Sequence, residues 1–335
     1  MNRFARATAA AFAVAVLPAS VSLAAPSGAA PAAAVAPVSS RIHVSTAFAL
    51  PGNRVYPEGI TIDHRTGDFY VASYEDGSVY RLTRGRRVAE VFLPAGADGR
   101  RTANGVRADR AGRLWVCDSS SGVSVYDIGT RRLLARFVVP GTAAKFVNDV
   151  AVAPNGDAYV TDSARSVVYR VTPRDVARGG RADLRARFDL GDAVEEHAAG
   201  ELTLNGIVAD PSGRYLLTVD MTGGDLYRLD VASGAVRKVA LEGGDLRHAD
   251  GLELQGGRLW AVHNLDNAIS RWRVGNDGAA ARRERREASP ALELPTTVAR
   301  SHGTLYVVRS QFDKGGPLGA GVPRIPFSVA AVRGL

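Results

Sequence analysis

The sequence holds a single cysteine, Cys117, in 335 residues, so no internal disulfide can brace the chain. The same scarcity rules out thiolate zinc centres, and the six histidines include no pair at HExxH spacing. Lysine is nearly missing, at positions 145, 238 and 314 only, so the net charge of +8 rests on arginine. Those arginines are scattered singly along the chain, which argues against a nucleic-acid partner despite a basic balance. The one dense group, Arg282, Arg283, Arg285 and Arg286, is interrupted by Glu284 and Glu287 and is expected to form a solvated connecting loop. After residue 23 no apolar run approaches the ~20 residues of a membrane helix, so no membrane partner is expected. Stability must then come from packing, with a bound metal as the one further brace open to it, and Cys117 reads as a small buried apolar residue.

What the sequence does have begins with a three-part leader. Arg3 and Arg6 precede an uncharged run from Ala7 to Leu23, followed by small residues suited to a signal peptidase. Residues 1–30 are read as a secretory signal, 31–41 as a flexible Ala/Pro-rich lead-in, and 42–335 as the mature, secreted domain.

Within 42–335 one template recurs. A short polar start opens an apolar strand, a Gly-containing turn follows, and a second strand rich in Tyr, Trp and Val leads to a polar bend and a third strand. The starts read PEGI from Pro57, ANGV from Ala103, VNDV from Val147, LNGI from Leu204, ADGL from Ala249 and a degenerate PTTV from Pro295. Aligned on their second residue these are Glu58, Asn104, Asn148, Asn205, Asp250 and Thr296, with gaps of 46, 44, 57, 45 and 46 residues. Fourth strands follow at 88–94, 133–140 and 236–241. Six units of four antiparallel strands predict an all-β, six-bladed β-propeller. His43 to Leu50 resembles a fourth strand with no blade before it, and is expected to complete the last blade and close the ring. The long third gap holds a polar stretch, 174–203, expected as an excursion between blades three and four or as a lid.

The innermost strands of a propeller line its axis, so the five polar starts should converge there. Second strands run back to the same face and should bring Ser73, Asp118, Asp162, Asp220 and Asn264 behind them. Two carboxylates and several amide oxygens make a hard-oxygen environment suited to Ca2+. Duplicated turn chemistry is the plainer reading of Asn-Gly and Asp-Gly pairs.

The motifs PEGI, VNDV, LNGI and ADGL together resemble the gluconolactonase family that includes regucalcin, with the paraoxonases and diisopropylfluorophosphatase as relatives. The resemblance covers the whole mature chain and implies a six-bladed propeller with a catalytic calcium. It implies Glu58, Asn148, Asn205 and Asp250 as metal ligands and Asp250 as general base or nucleophile. Asn104, Asp149, Asp162, Asp220 and His263 are expected to contact substrate or support the ligands. The sixth blade's PTTV departs from the pattern, the paraoxonase histidine dyad has no clear counterpart, and Arg107 and Lys145 are the nearest basic residues to the missing sugar-binding arginines. The expectation is a secreted, monomeric, calcium-dependent hydrolase of lactones or activated esters acting on a small molecule. A non-catalytic binding propeller and a lyase or condensing enzyme on the same scaffold are the alternatives.

Overall fold

The computed structural model describes residues 42–335. The expected signal and lead-in, 1–30 and 31–41, lie outside them. Six sheets of antiparallel strands form the six blades of a propeller. The innermost strands are Pro57–Asp63, Val106–Ala108, Val147–Val152, Leu204–Ala209, Ala249–Gln255 and Pro295–Ser301. The last blade is completed by His43–Ala49, which runs antiparallel to Ser328–Arg333 from the other end of the chain. Alternation sets the core: residues on the two faces of a strand pack toward the two neighbouring blades. Thus Tyr215, Leu217 and Val219 pack with Leu252, Leu259 and Trp272 of blade five, while Leu216 packs with Tyr159 and Phe188 of blade three. There is no central core; six apolar seams, one between each pair of neighbouring blades, hold the ring. Cys117 is fully buried in the seam between blades two and three, and burial pushes its thiol up, as fits an inert packing residue.

Two expectations are corrected. The arginine group is not a loop but the outer strand of blade five, Ala280–Ala288. Its polar pattern serves a solvent edge, where the carboxylate of Glu284 accepts from Arg258, Arg271 and Arg273 at 2.8 to 3.1 Å. The stretch 174–203 is regular structure in its first half only, and residues 190–203 form the turn-rich connection between blades three and four. It continues the helix Pro173–Arg178, capped by Thr172, and then supplies the strands Gly180–Asp183 and Arg185–Asp189. Arg185–Asp189 is the missing fourth strand of blade three, and Gly180–Asp183 lies parallel to the outer strand of blade two. Polar composition misled here because outer blade strands are wetted on one side.

Candidate functional site

Five of the six innermost strands break their pairing at the same place. The register of first and second strands shifts between Pro57 and Ile60, Val147 and Val150, Leu204 and Ile207, Ala249 and Leu252, and Pro295 and Val298. A bulge of this kind re-aims a side chain. At the break stand Glu58, Asn148, Asn205, Asp250 and Thr296, and the same strand start in blade two carries Asn104. All six are 5% exposed or less.

The glycines that follow four of these residues are explained by crowding at the axis. A Cβ on Gly59 would lie 2.3 Å from the Asn104 carbonyl oxygen, one on Gly206 2.4 Å from that of Asp250, and one on Gly251 2.8 Å from that of Thr296. Each glycine thus lets the next blade's strand approach closely, so turn chemistry is not why the pairs Asn-Gly and Asp-Gly recur. We expect Gly206→Ala to push Asp250 out of place, costing about 1–3 kcal/mol and most of the activity. Gly275→Ala, whose Cβ would meet nothing within 4 Å, should be neutral. Paired thermal melts and turnover measurements check this, and equal behaviour of the two variants would refute it.

Hydrogen bonds stitch the ring from blade to blade. Gly105 N–H donates to the Asn148 carbonyl at 2.9 Å, the Thr161 hydroxyl to the Asn205 carbonyl at 2.9 Å, and the Thr296 hydroxyl to the Glu58 carbonyl at 2.8 Å. The sixth blade therefore contributes a clasp at this position rather than an oxygen aimed at the axis.

The side chains show a consistent polarity. The Asn148 amide nitrogen donates to Ser163 Oγ at 2.9 Å, and that hydroxyl is itself committed as donor to the Leu204 carbonyl, which fixes the amide's orientation. Asn205 Nδ2 points to Met221 Sδ at 3.1 Å. Asn264 Nδ2 donates to Asp250 Oδ2 at 2.8 Å. With these donors turned away, Glu58 Oε2, Asn104 Oδ1, Asn148 Oδ1 and Asp250 Oδ1 are buried without a hydrogen-bond partner. Buried acceptors left unpaired are costly, and four from one ring call for a cation rather than for chance.

The electrostatics agree. Burial pushes Glu58 well above the usual carboxylate range, and the Asp250 and Asp149 charges add to this. Burial raises Asp250 to about 8 against the hydrogen bonds from Asn264 and Asn205. Asp149 is also raised by burial, opposed by Arg107 and by backbone donors from Val150 at 2.8 Å and Ile207 at 3.2 Å. Three buried carboxyl groups opposed by a single cation, Arg107 beside Asp149, are what a bound divalent ion would relieve. Among the described residues no three His, Cys, Asp or Glu side chains gather into a metal cage. The ring instead mixes two carboxylates with amide oxygens, a donor set that suits calcium and not zinc.

The remaining expected site residues lie elsewhere. Asp162 accepts from Phe146 N at 2.9 Å and Tyr169 Oη at 3.0 Å, and Asp220 from His197 Nε2 at 2.8 Å and Thr222 N at 3.2 Å. Both carboxylates hold loops on the ring's face, and neither bonds a ring side chain. His263 spends both nitrogens inside blade five, on the Arg247 carbonyl and Ser270 Oγ, each at 2.7 Å, and burial holds it below the usual histidine range. His248 Nδ1 bonds Asp266 Oδ1 at 2.9 Å on the rim. Arg107 reaches toward the opposite mouth, and Lys145 Nζ donates to the Gly141 carbonyl at 3.0 Å.

The residues that do touch the ring are Ser163, Met221 and Asn264, one position past the second strands' last pairs, with Ser310 bonded to Thr296 in the sixth blade. The signal was present in the sequence, but it was aligned one residue off in blade five. His263 pairs with Ala249 as Asp220 pairs with Leu204, so Asn264 belongs with Ser163 and Met221 rather than with Asp162 and Asp220. A one-residue slip in a strand exchanges its faces.

The model of the SMP-30/Gluconolactonase/LRE-like region matches residues 56–309. No curated protein matches the chain. Among solved structures, virginiamycin B lyase from Staphylococcus aureus superposes with a TM-score of 0.55 at 12% identity, covering 88% of this chain and 100% of that one. The major Malassezia sympodialis allergen Mala s 1 gives 0.59 at 17% identity over 83% of this chain and 93% of that one. A chain of a nidogen/laminin complex gives 0.53 at 17% over 72% and 85%. At such identities the likeness is one of fold.

Proposed function

We propose, from the premise that the chain belongs to the SMP-30/gluconolactonase/LRE-like family, that it is an exported, monomeric, calcium-dependent hydrolase of small lactones or activated esters. The observation that carries this reading is four buried, unpartnered oxygens, those of Glu58, Asn104, Asn148 and Asp250, from the same repeat position in four blades; Asn205 joins them by its place in the repeat. Glu58, Asn148, Asn205 and Asp250 would hold the ion. When bound, calcium supplies a Lewis acid that polarises the scissile carbonyl and steadies the oxyanion.

The chain's own contribution is position and proton handling. Asn264 ties down Asp250 Oδ2, which leaves Oδ1 free to take a proton from water or to attack the carbonyl carbon. Glu58 holds a second negative charge in the ring, while the amides of Asn148 and Asn205 bring oxygen without further charge. Burial of all four excludes bulk water and strengthens each electrostatic interaction. Asn104 completes the ring with an acceptor free to meet a substrate hydroxyl or water.

The test is a panel of sugar lactones, acyl lactones, aryl acetates and a phosphotriester, assayed with calcium and with chelator. Chelator-sensitive turnover of a lactone or ester that is lost in Glu58→Gln is the expected result. A pure, calcium-loaded protein inert across the panel would replace this reading with a binding propeller.

A further inference from the structure

One cavity does not open on the oxygen ring. It lies at the other end of the axis, where the innermost strands finish, and has a volume of about 520 Å³. Its wall mixes small apolar residues, including Val152, Ala209, Leu254 and Ala299, with polar and charged ones in nearly equal measure. Such a cavity has the size of a small-molecule site.

Its floor is made by two residues from opposite blades. Arg107 of blade two and Glu253 of blade five stand three blades apart, yet Arg107 Nη1 lies 3.8 Å from Glu253 Oε2, so the pair spans the channel. Arg107 Nε also donates to the Val150 carbonyl at 3.4 Å. On the wall, the Arg300 guanidinium stacks over Trp260 at 4.8 Å and donates to Gln255 Oε1, a neutral partner. A guanidinium resting over an indole is held in place there, and its fork suits two-point contact with a carboxylate.

The anionic groups at this mouth are already engaged. Asp109 accepts from Arg113 Nε at 2.6 Å and from Trp115 Nε1 at 2.9 Å, and Asp210 closes its own turn through Ser212 N at 3.0 Å. Glu253 is the counter-charge at this mouth to Arg107, which also faces the buried Asp149, and to Arg300; burial raises Glu253 to about 7, so it neutralises them incompletely. Two guanidiniums facing a chamber of mixed apolar and polar lining therefore have spare capacity for an anion.

We propose that this mouth is a second binding site, separate from the oxygen ring, for a small organic monoanion: a carboxylate on an aryl or branched apolar body, the carboxylate held by Arg107 and Arg300. The inference does not depend on hydrolysis or calcium at the ring. Its probe is benzoate, with benzylamine and benzamide as cationic and neutral counterparts of similar shape. Isothermal titration of the calcium-loaded protein should give saturable benzoate binding, weakened by added salt, and little or none for the other two. Arg107→Gln and Arg300→Gln should each weaken benzoate at least tenfold, while Glu58→Gln leaves it unchanged. Benzoate should also change Trp260 fluorescence, read as the signal lost in Trp260→Phe. This second readout holds even if one arginine variant folds poorly. The proposal is overturned by absence of saturable benzoate binding, by equal binding in both arginine variants, or by its loss in Glu58→Gln, which would assign the carboxylate to the ring.

Discussion

Protein treated with chelator is expected to melt well below the calcium-loaded protein at neutral to alkaline pH, and to recover part of the difference on acidification. The sign follows from the buried carboxyls. Glu58, Asp149 and Asp250 are all raised above their ordinary values in the folded chain, Asp250 to about 8. Without a cation the native state therefore binds more protons than the unfolded chain from roughly pH 4 upward, the ordinary carboxylate range. Their contribution is fully present below that point and is lost as pH rises through their raised folded values, near 8 for Asp250. Calcium competes with those protons, so its stabilising effect grows with pH and flattens the trend. At a thousandfold excess over Kd, binding to the native state alone adds about 4 kcal/mol, which at about 2–4 °C per kcal/mol is roughly 8–16 °C. Thermal melts at mildly acidic and mildly alkaline pH, each with millimolar calcium and with chelator, check this. Superimposed curves at alkaline pH, with elemental analysis showing no retained metal, would remove calcium from the site.

The second large effect is expected from Asp250→Asn. The substitution keeps the volume and one oxygen, so the Asn264 hydrogen bond to that side chain can persist. The amide cannot serve as base or nucleophile. Turnover should fall by at least ~10², since a placed acid or base commonly supplies about 10² to 10⁴, while calcium binding weakens only moderately. One buried carboxyl fewer should also make the chelated variant less sensitive to pH than the parent. Normal turnover would make Asp250 a ligand only and move the chemistry to another group.

How far the sequence could be read differed by element. Blade number, strand pattern and the closing strand were legible because the repeat imposes the same alternation six times, and Val, Tyr and Trp at period two leave little choice of structure. The ring was legible for the same reason: its side chains occupy one repeat position, and the bulge that aims them recurs with it. Outer strands were not. Arg282 to Glu287 and Arg185–Asp189 are polar because they edge the blades, and composition alone cannot separate a wetted strand from a loop. The second layer was misassigned because a bend, not a strand, carries Ser163, Met221 and Asn264, and register across a bend is set by three-dimensional pairing. The role of the glycines beside the ring was hidden as well, since a close approach between strands about 45 residues apart leaves no local trace.

The strand His43–Ala49 is made first and seated last, because its partner Ser328–Arg333 comes from the far end of the chain. Until that final segment is synthesised, blade six presents a bare hydrogen-bonding edge, and the seam between blades six and one lacks Phe327 and Val329. Such long-range pairing is slow to form. Ribosomal synthesis alone therefore cannot lock the ring, which stays unclasped until the two ends of the domain meet.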